Sequence, residues 1–249
     1  MNSLNKVNSS IDEKKMPLVD HISELRSRLL ASLVVLIING IISSIFIKQI
    51  VIFFQNLVPQ VKFLQLAPGE YFFSSLKIIL YAAILATIPF FIYQIILFIL
   101  PGLTKKEKNI ILPLAIMSII LFAIGVLFAY FTLIPAALNF FLNYGSDLVE
   151  PIWSLDQYLD FITVLLLSTG VAFQVPIVQV LLGLFNILKI NQMLKLWRYV
   201  LLFSTIIGAI LTPSVDPITQ ILLSAAVFGL YFFGILILHL INQFNLISS

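Results

Sequence analysis

The stretch at residues 109–146, NIILPLAIMSIILFAIGVLFAYFTLIPAALNFFLNYGS, contains no Asp, Glu, Lys or Arg. A helix rises about 1.5 Å per residue, so about 20 apolar residues cross the roughly 30 Å of hydrocarbon in a lipid bilayer. This run is longer than one such crossing and is apolar almost throughout. It therefore predicts a helix that spans a membrane.

Uncharged runs recur along the rest of the chain, at 29–47, 78–104, 161–188, 199–215 and 217–249. The chain is 61% hydrophobic and only 10% charged, whereas soluble proteins average about 25% charged residues. These values exclude a water-soluble globular protein and predict an all-α membrane protein with several spans. The chain has no cysteine, which excludes disulfides and cysteine-based metal sites, and we expect neither a metal nor another cofactor.

Proline and polar residues divide these runs into six predicted transmembrane helices, near 29–48, 77–100, 110–134, 157–184, 197–212 and 218–239. Pro135 predicts the end of the third helix, followed by a tightly packed loop. Pro89 and Pro176 predict kinks in the second and fourth helices, because proline lacks a backbone N–H and crowds the preceding turn. Kinked helices favour a concave body. The predicted organisation is a polar tail at 1–15, a six-span membrane domain at 16–240 and a short tail at 241–249.

Basic residues fall mainly on one side of the six predicted spans. The residues on this side are Lys6, Lys14, Lys15, Arg26, Arg28, Lys105, Lys106, Lys108, Lys189, Lys195 and Arg198. Cytoplasmic loops of membrane proteins carry an excess of Lys and Arg, so this side and both chain termini are predicted to face the cytoplasm or its organellar equivalent. The predicted loops 135–156 and 213–217 contain no basic residue and belong to the opposite side.

No charged residue lies near the middle of a predicted span. Pumps and secondary transporters carry such residues on their pathways, so the pattern counts against that class. The polar residues inside the spans include four amides, Asn39, Gln94, Gln174 and Gln179. An amide in hydrocarbon needs a partner, and we expect three of them to hydrogen-bond to neighbouring helices. Gln174 differs, because it lies beside the predicted kink at Pro176.

The first segment on the positive side places Glu24 in a predicted amphipathic helix. Its apolar stripe consists of Leu18, Ile22, Leu25 and Leu29, a spacing suited to a helix that lies on the membrane surface. Glu24 and Arg28 are four residues apart and can pair along this helix. Taken alone, Glu24 has an ordinary structural role.

The second segment places Glu107 in a loop with three lysines. Its ordinary role is a capping box with Thr104 at the start of the third helix. Two carboxylates held among cations on one side of the membrane also favour another interpretation. They can accept a peptide with adjacent arginines through bidentate, charge-assisted hydrogen bonds.

Five motifs along the chain resemble those of the TatC family, the multispanning subunit of the twin-arginine protein translocase. In order they are DHISELRSRLL (20–30), ILPGLTKKEKNIILPL (99–114), GVLFAYFTLIPAALNFF (125–141), STGVAFQVPIV (168–178) and LTPSVDPITQ (211–220). The resemblance extends over residues 16–240 in unbroken order. It implies six spans with a short fifth helix, and a protein that is not an enzyme.

The resemblance also implies a function and partners. Members of the family receive the twin-arginine signal peptides of folded proteins on the cytoplasmic or stromal side of the membrane. They assemble as homo- and hetero-oligomers with single-span TatA- and TatB-type subunits, and the proton gradient drives transport. No nucleic-acid partner is expected. Carried over by position, the signal-peptide site consists of Glu24, Leu25, Arg26, Phe98, Pro101, Leu103 and Glu107.

Gln174 marks a departure from many bacterial members, which have glutamate at the matching position. Glutamine keeps the capacity to hydrogen-bond but cannot ionise, so we expect an uncharged contact with a partner's span there. The glutamine and the motif at 211–220 resemble the cyanobacterial and plastid branch. The N-terminus lacks the features of a transit peptide, which favours a plastid-encoded protein of the thylakoid membrane. A bacterial cytoplasmic membrane is the other expected location.

A six-span transporter of a small solute is the alternative function. Such transporters typically show internal repeats and charged or broken-helix sites near the middle of the membrane. Only Pro89 and Pro176 hint at broken helices, and the first three spans show no evident similarity to the last three. A membrane enzyme fits the sequence even less well, because no set of residues typical of a catalytic site falls at one common depth in the membrane.

Overall fold

The computed structural model of the chain describes residues 18–99, 105–144, 150, 152–185, 187–212 and 216–243, with the backbone alone at 18–19 and 105–109. In chain order the described elements are α1 (Leu18–Ile45), α2 (Ile47–Gln55), β1 (Lys62–Leu64), α3 (Glu70–Ile99), α4 (Lys105–Phe128), a π-helical turn (Ala129–Leu133), α5 (Ile134–Asn143), β2 (Ile152–Ser154), α6 (Leu155–Ala172), α7 (Val175–Leu184), α8 (Ile190–Lys195), α9 (Trp197–Leu211) and α10 (Pro217–Gln243). The predicted tail at 1–15 and most of the tail at 241–249 lie outside the described residues.

Five helical stretches of the described chain are long and apolar enough to cross a membrane. They are Asp20–Ile45, Glu70–Ile99, Ile110–Asn143, Leu155–Leu184 and Pro217–Gln243. Helix α9 is also apolar but has only 15 residues, or about 22 Å of helix, which is less than the thickness of the hydrocarbon layer. The molecule is therefore a mostly helical, multi-pass integral membrane protein. Within the described residues, two short strands that the sequence did not predict are the exception to the all-α class.

The third span is longer than predicted, because the helix does not end at Pro135. Helix α4 passes through the π-helical turn into α5, in which Pro135 occupies the first turn. The Ile134 N–H donates to the Ala129 carbonyl, five residues earlier. This wider turn shifts the hydrogen-bond register, and a proline at the start of a new α-helical segment costs little. The predicted loop that begins at residue 135 is therefore wrong as far as Asn143.

The kink predicted at Pro176 is confirmed as a break between α6 and α7. Phe173 and Gln174 connect the two helices, and the Gln174 N–H donates to the Val171 carbonyl at 2.9 Å. Pro176 then lies in the first turn of α7. Helix α3, in contrast, continues through Pro89 to Ile99.

Helix α6 lies at the centre of the molecule and α1 at its edge. Leu159, Ile162 and Leu165 of α6 are each at most 1% exposed. Most large apolar side chains of α1 are exposed, and this helix packs against α3. In a membrane such exposed apolar faces contact lipid or other spans. The position of α1 therefore depends on its contacts with α3.

The N-terminal end of α3 is joined to α6 by polar contacts. Strands β1 and β2 pair in parallel beside it. The Lys77 ammonium lies 2.9 Å from Asp156 Oδ1 and 2.7 Å from Asp160 Oδ2. Helix α3 has 30 residues and is therefore about 45 Å long. Its C-terminal end, which contacts the start of α1, lies on the other side of the molecule.

Candidate functional site

The candidate site lies where the first turns of α1 meet the last turns of α3. Helix α1 runs from Leu18 to Ile45 without a break, so the predicted amphipathic segment and the first span form one continuous helix. Because this helix packs against α3, it brings Glu24 and Leu25 close to Phe98. These three residues were assigned to one site from the sequence, although more than 70 positions separate Leu25 from Phe98.

Arg28 connects Glu24 to α3 through hydrogen bonds. Its Nε donates to Glu24 Oε1 at 3.1 Å, and its Nη2 donates to the same oxygen. Its Nη1 donates to Gln94 Oε1 on α3 at 3.2 Å. The predicted pairing of Glu24 with Arg28 is confirmed, as is the predicted contact of Gln94 with a neighbouring helix. The same prediction is wrong for Gln179, whose buried amide has no hydrogen-bond partner among the described residues. The ion pair is more than a local feature of α1, since Gln94 attaches it to a second helix.

The second oxygen of Glu24 has a different environment. Glu24 Oε2 is buried and accepts no hydrogen bond from the described residues. His21 Nδ1 lies 3.9 Å away, beyond hydrogen-bonding distance. The His21 ring stacks on the Phe98 ring, with centroids 4.1 Å apart and planes 9° from parallel. One oxygen of Glu24 therefore accepts hydrogen bonds from Arg28, and the other lies beside the stacked rings of His21 and Phe98.

A small hollow of about 30 Å³ lies between the two helices, next to the ion pair. The residues that line it are Leu25, Arg28, Leu29, Ser32, Phe91, Gln94, Ile95 and Phe98. This volume suits a water molecule or the end of a side chain, and not a small-molecule ligand. The described part of the site is thus an interface between two helices and not a small-molecule pocket.

The other sequence-predicted residues have different positions. Arg26 is exposed, and it lies two residues from Glu24 and therefore on a different face of the helix. Pro101 and Leu103 lie outside the described residues. The backbone of Glu107 is in the first turn of α4, and its side chain is not among the described parts of the structure. It precedes Ile111 by one helical turn, and Ile111 packs with Ile96 near the end of α3.

His21, Arg28 and Gln94 were not assigned to the site from the sequence. The spacings His21–Glu24 and Glu24–Arg28 are those of neighbours on one helix face, which is a usable local signal. No local signal shows that Gln94 and Phe98 face the same part of α1. That juxtaposition follows only from the packing of two helices.

Gln174 lies apart from this site, at the break between α6 and α7. Its Oε1 accepts a hydrogen bond from the Ser118 hydroxyl, and its Nε2 donates to the Ser118 carbonyl at 3.2 Å. An ionised glutamate cannot donate to that carbonyl, so the amide suits its partner on α4. The residue is partly exposed, and a contact with a partner's span stays a prediction. Within the described residues there is no group of three or more metal-binding side chains.

Comparison with known proteins gives consistent matches. The profile of the family "Sec-independent protein translocase protein (TatC)" matches residues 20–226. An uncharacterized tatC-like protein of Porphyra purpurea is 53% identical over 96% of this chain and 94% of its own length. The Sec-independent protein translocase protein TatC of Synechocystis is 51% identical over 90% of this chain and 88% of its own length.

A chloroplast protein and a solved structure are also similar to the chain. The chloroplastic translocase protein TATC of Pisum sativum is 46% identical over 90% of this chain and 64% of its own length. A crystal structure of the twin-arginine translocase receptor TatC is 33% identical, with a TM-score of 0.77, over 88% of this chain and 98% of that one. The similarity therefore covers both the sequence and the arrangement of helices.

Proposed function

Because the chain belongs to the TatC family and is thus a component of a protein translocase and not an enzyme, we propose that it binds the twin-arginine signal peptides of folded proteins. The observation that carries this proposal is the state of Glu24. One of its carboxylate oxygens is buried beside the His21–Phe98 pair and accepts no hydrogen bond from the described residues. A buried carboxylate oxygen without a partner is unfavourable, and an arginine from a bound peptide supplies the missing donors.

The chemistry at this position suits a guanidinium group. A guanidinium donates charge-assisted hydrogen bonds to a carboxylate and stacks on aromatic rings. Glu24 offers the carboxylate, and His21 with Phe98 offers a flat aromatic surface within a few ångströms of it. Leu25 and Phe98 add apolar surface for neighbouring peptide side chains.

We assign the second arginine of the signal peptide to Glu107. Pro101, Leu103 and Arg26 complete the proposed site, in the positions that the family resemblance implies. The contact between α4 and the end of α3 supports this assignment, because it keeps the start of α4 on the same side of the molecule as Glu24. Two carboxylates on one side match the two cations of the peptide.

Binding should require arginine and not merely positive charge. Replacing both arginines of a signal peptide by lysine is expected to weaken binding to the full chain in nanodiscs by about ten- to a hundredfold, the value of one to two lost charged hydrogen bonds. The ammonium group keeps the charge but cannot form two parallel bonds or stack in the same way. Fluorescence anisotropy with labelled peptides measures the effect. Equal affinity for the two peptides would contradict the proposal.

We further propose that α9 is a sixth membrane span, within a membrane domain at 16–240 that has a concave body and both termini on the cytoplasmic or stromal side. The distribution of basic residues supports this orientation. The length of α9 fits a helix covered by its neighbours or a locally thinned bilayer. The break at Gln174 supports a bent body. The tails at 1–15 and 241–249 then lie on the same side of the membrane.

The number of spans can be tested with single cysteines, because the chain contains none. Each variant places one thiol at an exposed position. Gln60→Cys lies after the first long helix, Asn191→Cys after the fourth, and Gln243→Cys at the end of the last. With six spans, a membrane-impermeant maleimide labels Asn191→Cys and Gln243→Cys from one side and Gln60→Cys from the other. If α9 does not cross, Gln243→Cys is labelled together with Gln60→Cys, and the six-span proposal fails.

The proposed partners are single-span TatA- and TatB-type subunits, in homo- and hetero-oligomers of the thylakoid membrane. The exposed apolar faces of α1 and α9 offer contact surfaces for other spans. Gln174, which is partly exposed, is the proposed polar contact inside the membrane. The relatives from Porphyra purpurea, Synechocystis and Pisum sativum support the assignment to a plastid or cyanobacterial membrane.

A further inference from the structure

The two oxygens of the Glu24 carboxylate have different neighbours. Oε1 accepts two hydrogen bonds from Arg28, whereas Oε2 lies on the side of His21 and accepts none from the described residues. We propose that Arg28 and Gln94 are positioning residues, which orient this carboxylate so that Oε2 is presented to one guanidinium group of the signal peptide. The inference rests on the proposed function and adds two residues to it.

Arg28 is suited to this role because three of its nitrogen atoms donate hydrogen bonds that hold its guanidinium group in place. Nε and Nη2 bind Glu24, and Nη1 binds Gln94 at 3.2 Å. The guanidinium group is planar and rigid, so a bond at Nη1 sets the plane in which the other two nitrogens meet the carboxylate. Both charged side chains are largely shielded, with 22% of Arg28 and 20% of Glu24 exposed. The orientation of Glu24 therefore depends on an amide of another helix.

The direction of the second oxygen follows from its neighbours. Oε2 lies 3.9 Å from the His21 ring, and that ring stacks on Phe98. A guanidinium group that donates to Oε2 therefore also meets an aromatic surface. If the carboxylate rotated, Oε2 would leave this surface and the two contacts could not form together. The orientation of the Glu24 carboxylate should consequently affect the binding of an arginine, which uses both contacts, more than the binding of a lysine.

An opposite role for Arg28 makes an opposite prediction. Arg28 could instead act as an internal competitor that occupies Glu24 until the peptide displaces it. Its bonds to Oε1 alone argue against competition, because they leave the second oxygen without a donor from Arg28. If Arg28 positions the carboxylate, its removal weakens peptide binding. If it competes, its removal strengthens binding.

The decisive variant is Gln94→Leu, which removes the acceptor for Arg28 without changing the charge of the site. In the full chain in nanodiscs, its affinity for a twin-arginine peptide is expected to fall about tenfold, because the Glu24 carboxylate is no longer held in the orientation that receives the guanidinium group. Its affinity for the twin-lysine peptide should change much less, so the preference for arginine falls too. Arg28→Gln should lower the preference in the same direction.

Asn39→Leu is the matched control. The Asn39 amide donates to Thr87 Oγ1 at 2.9 Å, so this pair also joins α1 to α3 but lies away from the site. If Gln94 acted only by holding the two helices together, Asn39→Leu would reduce peptide affinity to a similar extent. We expect Asn39→Leu to bind the twin-arginine peptide like the unaltered chain.

The possible results separate this inference from the proposed function. If the unaltered chain does not prefer the twin-arginine peptide, the proposed function fails and the inference fails with it. If it prefers that peptide and Glu24→Gln abolishes the preference, the function stands. In that case an unchanged preference in Gln94→Leu, an equal loss in Asn39→Leu, or stronger binding by Arg28→Gln would overturn the positioning role.

Discussion

Glu24→Gln is expected to reduce the affinity for a twin-arginine peptide at least thirtyfold, which corresponds to about 2 kcal/mol or more for a charge pair in a binding interface. The substitution keeps the shape of the side chain and an oxygen that Arg28 can still bind. It removes the negative charge and replaces one acceptor oxygen by an NH₂ group. That group repels the guanidinium donors that the proposed site receives. Peptide titration of the full chain in nanodiscs measures the loss.

Asp20→Asn is the matched control for Glu24→Gln. Asp20 lies four residues before Glu24 on the same helix, and it is exposed. The two variants change the net charge by the same amount, within about one helical turn of each other. We expect Asp20→Asn to weaken binding less than about threefold, the range of a screened surface charge. An equal loss in both variants would mean that the peptide is attracted by net charge and not held at Glu24.

Gly125→Val is expected to destabilise the folded protein by about 2–3 kcal/mol, the upper range for overpacking in a well-packed interior. A Cβ atom at Gly125 would lie 2.8 Å from Phe173 Cγ and 3.1 Å from the Gly170 Cα. A Cβ atom added at Gly170 would likewise lie 2.7 Å from Phe122 Cε2. Helices α4 and α6 thus cross at two glycines, as is common between membrane helices. Valine adds three carbon atoms where one does not fit.

Gly229→Val makes the same chemical change where there is room for it. A Cβ atom at Gly229 meets nothing within 4 Å, and the residue lies inside α10 as Gly125 lies inside α4. We expect a change of no more than about 0.5 kcal/mol. Unfolding in detergent with increasing dodecyl sulfate compares the two variants. Similar midpoints would show that the α4–α6 contact contributes little to stability.

The consequence for function is indirect. Ser118, which binds Gln174, lies seven residues before Gly125 on α4, and residues seven apart share one face of a helix. The same face of α4 therefore packs against Phe173 and hydrogen-bonds to Gln174 at the break between α6 and α7. Moving α4 away from α6 should disturb the position of Gln174 as well as the stability of the protein.

Local features of the sequence account for the long helices and for one of the interruptions. Uncharged runs marked five spans because charged groups are very unfavourable in hydrocarbon, and the short length of the helix near 197–212 was also predicted. Pro176 marked a break because the effect of a proline on a regular helix is local. The helix end predicted at Pro135 was wrong, because this rule considers only the local effect of a proline. The helix accommodates Pro135 through the π-helical turn at Ala129–Leu133, which ends two residues before the proline and which composition does not reveal.

The site was only partly predictable. The pairing of Glu24 with Arg28 follows from their spacing on one helix. The grouping of Glu24 with Phe98 came from resemblance to a family, because no local rule relates two positions so distant in the chain. The roles of Gln94 and His21 became visible only when α1 was placed against α3.

Amino-acid composition and spacing were thus sufficient for the membrane class, the main spans and the local ion pair, because each depends on the solvation of single residues or on contacts within one helix. The packing of α1 on α3 and the separate roles of the two Glu24 oxygens required the tertiary structure. The physical reason lies in the solvent. Lipid is as apolar as the protein interior, so hydrophobic periodicity does not mark which face of a membrane helix contacts another. Only the placement of the helices shows which polar side chains meet.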